Sequence, residues 1–244
     1  MSRRNRPGRP GPPKGQAAEQ AGRERIYGRR PVAEAGRGRR RVHQVWEAPA
    51  TGSDELERLC GSREHQGIVA EVDAYPYWDP AQLLTRGPGV IVALDEVQDP
   101  HNVGAVCRSA EAGGALGVVL CERRAASVTP AAVKASAGAV EHLPVARVRN
   151  LANWLADAQK AGAWIYGAAA EGTTAHHHAD LDGFCVLVLG SEGRGLRPRV
   201  AGTCDALLAI PQQGQVGSLN VSAAAAVLVF EALRQRSAGA NTAT

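Results

Sequence analysis

The sequence predicts an α/β fold with a mostly parallel sheet, because apolar segments of strand length alternate with helical segments from residue 90 onward. Two helix starts support this pattern. Thr129 and Pro130 form an N-cap and first-turn pair, and Asn150 stands at a second N-cap position. The content of 44% hydrophobic and 21% charged residues is that of an ordinary soluble globular protein.

Residues 1–24 are rich in Arg, Pro and Gly and are predicted to form a disordered basic tail. Residues 1–41 contain 13 Lys and Arg against 3 Asp and Glu, whereas the rest of the chain contains 15 against 21. A basic segment of this kind attracts polyanions, and nucleic acid is the usual partner. A solvated tail without a dedicated partner is an equally open interpretation.

Residues 25–75 have a different composition and predict a small α/β module. Strands are expected at Val42–Trp46 and Ile68–Val72, with a short helix at Asp54–Cys60 between them. A module of roughly fifty residues is marginal as an independent fold. Residues 76–88 contain three prolines and are predicted to be a linker.

Residues 89–238 carry the regular alternation and are predicted to form the larger domain. The predicted strands are Val90–Leu94, Gly117–Cys121, Val145–Val148, Trp164–Ala168, Phe184–Leu189 and Ala206–Ile210. The predicted helices are Asn102–Ala112, Thr129–Gly138, Asn150–Lys160 and Leu219–Arg236. In parallel α/β sheets the binding site lies at the carboxyl ends of the strands, so the loops at those ends are the candidate site.

Three of these strands are followed by loops that combine glycine with a few polar side chains, at residues 95–104, 190–196 and 211–222. Glycine lets backbone groups approach a ligand closely, and free N–H groups at a helix start can hold an anion. Each loop taken alone also fits a plain turn or an ordinary helix cap. The combination of all three in this order favours a shared site.

Several functional classes are excluded by the sequence. A membrane span or secretory signal is not expected, because no run of 18 apolar residues occurs and no apolar stretch follows the basic N-terminus. The five cysteines lack a C-x-x-C pair, which is typical of free thiols in a reducing cytoplasm. His176, His177 and His178 have no framing set of Cys or carboxylate residues, so no metal site is expected.

The three loops resemble motifs 1, 2 and 3 of the SpoU/TrmH branch of the SPOUT methyltransferases, and the resemblance covers residues 89–237. The matching patterns are D-x-x-x-D-P-x-N-x-G-x-x-x-R from Asp95 to Arg108, L-G-x-E-G-x-G-L from Leu189 to Leu196, and I-P-x-x-G-x-V-x-S-L-N-V-S from Ile210 to Ser222. The segments His65–Ile68 and Tyr27–Gly28 also resemble the branch that methylates a guanosine ribose in the peptidyl-transferase region of 23S rRNA.

This resemblance implies a SPOUT α/β-knot, in which a deep trefoil knot lies in the catalytic domain of residues 89–238. Knots are rare among protein folds, so the expectation depends on the resemblance alone. The resemblance also implies that the module at residues 25–75 is an L30e-like RNA-binding domain. Between Trp46 and Asp54 the chain is shorter than that domain, as if a strand and a helix were missing.

The resemblance implies S-adenosylmethionine (AdoMet) as the cofactor, held mainly through backbone groups of the motif 2 and motif 3 loops. No metal is needed for in-line transfer of a methyl group from a sulfonium to a ribose oxygen. The residues expected to bind the cofactor are Leu189, Gly190, Gly193, Ile210, Ser218 and Leu219.

Arg108 is the main catalytic candidate that the resemblance implies. A guanidinium has a pKa above about 12, so we expect it to bind the neighbouring phosphate and stabilise the developing alkoxide, with a transient role as base left open. Glu192 is expected to orient either Arg108 or the motif 3 loop. Asn102 and Asn220 are expected to position the ribose and hold the loops, while Ser218 and Ser222 are weaker candidates.

The predicted function is AdoMet-dependent methyl transfer to a ribose 2′-hydroxyl, with a guanosine of 23S rRNA as the expected target. The alternatives are a tRNA 2′-O-methyltransferase and a catalytically silent RNA-binding protein on the same fold. A nicotinamide oxidoreductase is disfavoured because no glycine fingerprint follows the first strand. The last helix is rich in small apolar residues, with Ala223 to Ala226 in a row, which permits close helix packing either in the core or at a dimer interface. The resemblance implies a homodimer, with RNA lying across both subunits. RNA is the expected partner, DNA and membranes are not, and a cytoplasmic location follows.

Overall fold

A small antiparallel sheet opens the described part of the chain. The computed structural model describes residues 22–215 and 217–242, so residues 1–21 of the predicted tail lie outside the described residues. Strand β1 (Arg23–Tyr27) pairs antiparallel with β3 (Ile68–Asp73), with Arg23 opposite Asp73. The predicted boundary of the tail at residue 24 is therefore wrong by two residues, because a partner strand some fifty residues away orders Arg23 and Glu24.

The N-terminal module is completed by β2 (Val42–Glu47), which pairs with β3 to give the order β1-β3-β2. Helix α2 (Ser53–Cys60) follows β2 after a short turn, and both agree with the predicted elements within one residue. Helix α1 (Arg29–Ala35) was not predicted. Its N-cap, Gly28, has no side chain, and Gln66 Oε1 instead accepts a hydrogen bond from Arg29 N at 3.2 Å.

The larger sheet has seven strands in the order β6-β5-β4-β9-β7-β10-β8, and every pairing in it is parallel. This confirms the predicted α/β class and the parallel sheet, and the six predicted strands are present within one residue at each end. Only the two-residue strand β8 was missed. The bounds are β4 (Val90–Asp95), β5 (Gly117–Cys121), β6 (Val145–Val148), β7 (Trp164–Ala168), β8 (Thr174–Ala175), β9 (Cys185–Gly190) and β10 (Ala206–Ala209).

Helices cover both faces of this sheet. Thr129 and Asn150 cap their helices as predicted, accepting hydrogen bonds from Ala132 N at 3.3 Å and Asn153 N at 3.1 Å. No helix within residues 22–215 and 217–242 combines the length and the apolar character that crossing a bilayer requires. The helices of the larger domain are α3 (Pro80–Leu83), α4 (Pro100–Ala112), α5 (Pro130–Ala135), α6 (Leu151–Lys160), α7 (Pro198–Ala201) and α8 (Val221–Thr242).

The segment predicted as a linker, residues 76–88, is packed onto the larger sheet. Trp78 N donates to Val145 O at 2.8 Å, and Trp154 Nε1 donates to Pro80 O at 3.1 Å. Leu83, in α3, is fully buried among residues of β4 and β5. Pro80 therefore marks the start of a short helix here, in its first turn after the Asp79 cap.

The N-terminal module and the larger sheet share one hydrophobic cluster, which includes Ile26, Val32 and Val72 of the module together with Val92 and Val106. A buried ion pair crosses the same contact. The Arg40 guanidinium donates to both carboxylate oxygens of Glu141, and each side chain is 1% exposed. The module is thus docked on the larger domain by apolar packing and by a buried charge pair.

Candidate active site

The first loop of the site leads from β4 into α4. The Asp99 carboxylate caps this helix by accepting a hydrogen bond from His101 N at 2.8 Å, and Pro100 occupies its first turn. Asn102 therefore lies in the first turn, where it is 9% exposed. Gly104 lets α4 approach α5 closely, since a Cβ there would lie 2.4 Å from the carbonyl oxygen of Ala132.

The second loop follows β9 and folds back on its own beginning. Ser191 and Gly195 form an isolated bridge, with Gly195 N donating to Ser191 O at 2.9 Å. A Cβ at Gly190 would lie 2.1 Å from the carbonyl carbon of Gly195, so only glycine fits at the end of this strand. Gly193 has φ of 76°, in the left-handed region. The tight turn holds Glu192 at the exposed tip of the loop.

The third loop joins β10 to α8 and ends at Asn220. The Asn220 side chain opens α8, because its Oδ1 accepts from Ser222 N at 2.8 Å and from Ser222 Oγ at 2.6 Å. The backbone groups of residues 211–215 and 217–219 make no hydrogen bond to another described backbone group. This loop therefore presents main-chain donors and acceptors beside the Asn220 cap.

Three side chains from the three loops meet in a closed triangle. Asn102 Nδ2 donates to Glu192 Oε1 at 2.9 Å, and Asn220 Nδ2 donates to the same oxygen at 2.8 Å. Asn220 Nδ2 also approaches Asn102 Oδ1 at 2.9 Å. These residues are separated by 28 to 118 positions along the chain. One carboxylate thus receives two amide donors, and such charge-assisted bonds are stronger than neutral ones.

Arg108 lies on α4 six residues beyond Asn102, which is about 9 Å along the helix and roughly 120° around it. Its side chain is exposed and makes no hydrogen bond or ion pair with another described residue, Glu192 included. Of the two roles predicted for Glu192, the geometry therefore supports contact with the motif 3 loop and not with Arg108. Arg108 instead lines a groove of about 800 Å³ between α4 and the N-terminal module.

The residues predicted to bind the cofactor flank the triangle on the second and third loops. Leu189 is 1% exposed at the end of β9, and Ile210 is half-buried just beyond β10. Leu219 is 41% exposed directly before Asn220, and Ser218 next to it is also exposed. Gly190 and Gly193 offer only backbone groups. The set supplies main-chain donors and acceptors with apolar surface, which is the chemistry expected of a nucleoside-binding site.

Sequence analysis did not single out the ion pair that supports the second loop. Asp95, at the end of β4, has a fully buried carboxylate that accepts from Arg197 N at 2.8 Å and Arg197 Nε at 2.7 Å. The hydrogen bond with Asp95 is the main cause that raises the pKa of Arg197. Asp95 begins the motif 1 pattern and Arg197 follows the motif 2 pattern directly, but adjacency to a motif does not reveal a partner 102 residues away.

Comparison with known proteins agrees with this arrangement. Residues 89–230 match the model of the SpoU rRNA methylase family. The chain is 44% identical to a 23S rRNA (guanosine-2′-O-)-methyltransferase of Pseudomonas syringae over 179 residues, covering 71% of this chain and 72% of that one. It is 38% identical to an uncharacterized tRNA/rRNA methyltransferase of Synechocystis sp. over 92% of this chain, and spans 66% of the length of that relative.

The fold is also similar to solved structures. The SpoU methyltransferase AviRb from Streptomyces viridochromogenes, in complex with its cofactor AdoMet, superposes with a TM-score of 0.77 at 26% identity. The match covers 88% of this chain and 91% of that one, so it extends beyond the larger sheet into the N-terminal part.

Proposed function

Since this chain belongs to the SpoU rRNA methylase family, and so to the AdoMet-dependent RNA 2′-O-methyltransferases, we propose that it methylates the ribose 2′-hydroxyl of a guanosine in 23S rRNA. The observation that carries the proposal is the Asn102–Glu192–Asn220 triangle, which joins all three motifs of the family in one place. The two alternatives raised by the sequence, a tRNA enzyme and a catalytically silent protein, are not favoured by the relatives.

The residues present fit AdoMet. The turn at Gly190 excludes a Cβ, which keeps the backbone of the second loop close to the strand end. The third loop adds unpaired main-chain groups at residues 211–215 and 217–219. We assign cofactor contacts to Leu189, Gly190, Gly193, Ile210, Ser218 and Leu219. When bound, AdoMet supplies a methyl group made electrophilic by the attached sulfonium.

Side chains position the substrate and stabilise the charge that develops during transfer. Glu192 holds the amides of Asn102 and Asn220, which fixes the second and third loops relative to α4 and places the ribose. Arg108 presents an unpaired guanidinium to the RNA, where it binds the adjacent phosphate and stabilises the negative charge that develops on the 2′-oxygen. The planar guanidinium carries five N–H donors, so it can contact a phosphate oxygen and the ribose 2′-oxygen together.

The proposal is tested by mapping ribose methylation in 23S rRNA from cells with and without this gene. We expect one guanosine to lose its 2′-O-methyl group and to regain it when purified protein and labelled AdoMet are added to the unmethylated rRNA. Calorimetry of the purified protein with AdoMet provides a separate measurement. Absence of AdoMet binding, or an unchanged methylation map, would contradict the proposal.

Replacing Glu192 by Gln tests the triangle. The variant replaces the charged acceptor of Asn102 and Asn220 by a neutral amide, so we expect AdoMet binding to weaken about tenfold, since hydrogen bonds to a charged group contribute about 1.5–3 kcal/mol. Calorimetry measures the change. Glu171→Gln, at an exposed loop position, is the matched control and should bind AdoMet like the wild type. Equal affinities of both variants would show that the triangle does not hold the cofactor loops.

We further propose that the catalytic domain, residues 89–238, contains the trefoil knot of its family. Two features of the structure support this. Strand β10 lies between β7 and β8, although β8 precedes it in the chain. The loop at Gly172, just before β8, crosses β10 so closely that a Cβ there would lie 2.6 Å from Ala209 N. We also propose that residues 25–75 are the RNA-binding module and that the protein works in the cytoplasm.

Homodimer formation is the last part of the proposal. Val227, Phe230 and Leu233 form an exposed apolar stripe at helical spacing on α8, with Phe230 46% exposed. We expect gel filtration to show a mass near twice the 25.5 kDa of the chain, and Phe230→Glu to shift it to the monomer, because a charge would be buried in the stripe. Val45→Glu, on the exposed part of β2, is the matched control. A monomeric wild type would contradict the dimer.

A further inference from the structure

A groove runs between α1 of the N-terminal module and α4 of the catalytic domain. Its volume is about 800 Å³, and its floor is lined by Ser136, Ala137, Ala139 and His142. Arg29, Arg30 and Arg37 stand on the α1 side, and Arg108 stands opposite. The catalytic candidate of motif 1 therefore shares one groove with arginines of a module that the three motifs do not include.

The charge of the groove is positive after its internal pairs are taken into account. The Glu34 carboxylate is neutralised by Arg37 at 2.9 Å and faces His142 Nε2 at 2.8 Å. The hydrogen bond from His142 is the main cause that holds the pKa of Glu34 below its ordinary value. The side chains of Arg30 and Arg108 make no hydrogen bond or ion pair with other described residues. Arg29 Nε donates to the neutral Gln66 O at 3.3 Å, so its charge is also retained. Three guanidinium groups, those of Arg29, Arg30 and Arg108, thus remain against the half-buried carboxylate of Glu111.

Hydrogen bonds and a buried ion pair fix the position of the N-terminal module, which carries α1, relative to the catalytic domain, which carries α4. Arg39 Nη2 donates to the carbonyl oxygens of Val140 at 3.2 Å and Leu143 at 3.0 Å, and these two residues adjoin Ala139 and His142 of the groove floor along the chain. Tyr75 Oη donates to Val140 O at 2.8 Å, and the buried Arg40–Glu141 pair lies beside it. Because these contacts join the module to the catalytic domain, α1 does not need to be brought into place by a ligand.

We propose that this groove holds the sugar–phosphate backbone of the RNA strand whose ribose is presented to Arg108. The inference rests on the proposed function, since it assigns a path to the substrate of that reaction. The described residues that line the groove include no Phe, Tyr or Trp, so it lacks the large aromatic side chains on which bases of a single strand usually stack. The groove contacts phosphates and positions the RNA, and the choice of nucleotide is made elsewhere.

Arg30→Ala tests this assignment, because Arg30 is exposed and its side chain makes no hydrogen bond or ion pair with the residues that the structure describes. We expect the dissociation constant and the KM for unmethylated 23S rRNA transcribed in vitro to rise about fivefold, as for loss of one phosphate contact. The slope of log K against log salt should fall in magnitude by about 0.7 for a single-stranded contact. The kcat, the modified nucleotide and the affinity for AdoMet should not change.

Charge reversal and a matched control sharpen the test. Arg30→Glu should weaken rRNA binding more than Arg30→Ala does. Arg149→Ala, outside both the module and the groove, removes an arginine whose side chain is 88% exposed and should bind rRNA like the wild type. Urea unfolding of all three variants checks that each is folded.

The outcomes separate this inference from the proposed function. If both Arg30 variants bind the transcript with the wild-type affinity and salt slope, the groove is not the RNA path. That result leaves the methylation activity of the wild type untouched. If the wild type itself neither binds AdoMet nor methylates the transcript, the proposed function fails instead.

Discussion

Replacing Arg108 by Ala is expected to reduce methyl transfer to rRNA by about 100- to 1,000-fold while AdoMet still binds with its wild-type affinity. Arg108 lies away from the Asn102–Glu192–Asn220 triangle and makes no hydrogen bond or ion pair with the described residues that we propose to contact the cofactor, so its loss should leave the triangle intact. Single-turnover methylation of 23S rRNA transcribed in vitro measures the rate, and calorimetry measures AdoMet binding.

The Arg108→Lys variant distinguishes charge from geometry. Lysine keeps a positive charge but lacks the planar fork of donors, so we expect part of the lost rate to return but not all of it. If the Ala variant turns over at a near-normal rate, the electrostatic role assigned to Arg108 is wrong. If the Ala variant loses AdoMet binding as well, Arg108 belongs to the cofactor site and not to the RNA groove.

Replacing Glu141 by Ala is expected to have the largest effect on stability, lowering the free energy of unfolding by about 3 kcal/mol. The variant leaves the Arg40 guanidinium, which is 1% exposed, with Glu24 at 3.0 Å as its remaining carboxylate partner. Burial raises the pKa of Glu24 and Arg40 lowers it, so this carboxylate is itself poorly solvated. The urea midpoint of unfolding measures the change.

Two controls show whether the buried charge is the cause. Replacing both partners, with Arg40→Met and Glu141→Leu together, removes the buried charges and should recover most of the lost stability. Glu57→Ala breaks the exposed pair with Arg63 and should change the free energy of unfolding by less than about 1 kcal/mol. A Glu141→Ala protein that unfolds at the wild-type urea concentration would contradict the view that this pair fastens the N-terminal module.

Local sequence patterns were sufficient to predict most strands and helices of the larger domain. Strand β5 is a short buried apolar run that ends before Glu122 and Arg123, and helix α6 begins at an Asn cap, so neighbouring residues determine their limits. The elements missed were those that distant partners stabilise. Strand β1 is exposed on much of its length and is ordered by pairing with β3, while α1 receives its cap from Gln66.

In the candidate site, too, local patterns predicted the residues, whereas distant partners decided their contacts. The residue types of the triangle were predicted, because each of the three loops carries a recognisable pattern. The partner of Glu192 was left open between Arg108 and the motif 3 loop, and in the structure Glu192 accepts from the two amides and lies apart from Arg108. The Asp95–Arg197 pair was missed because nothing in a single sequence indicates which of 28 basic residues faces a given buried carboxylate.

By itself, the sequence determined the α/β class, the order of strands and helices along the chain, and the three glycine-bearing loops that match the family. Only the tertiary structure decided that β10 lies between β7 and β8, that the N-terminal module is docked through Arg39 and Arg40, and that Arg30 faces Arg108 across one groove. The physical reason is the separation along the chain of the residues that determine each feature. Helix caps, turns and apolar periodicity depend on residues a few positions apart, whereas strand order, buried ion pairs and grooves depend on which distant surfaces exclude water together.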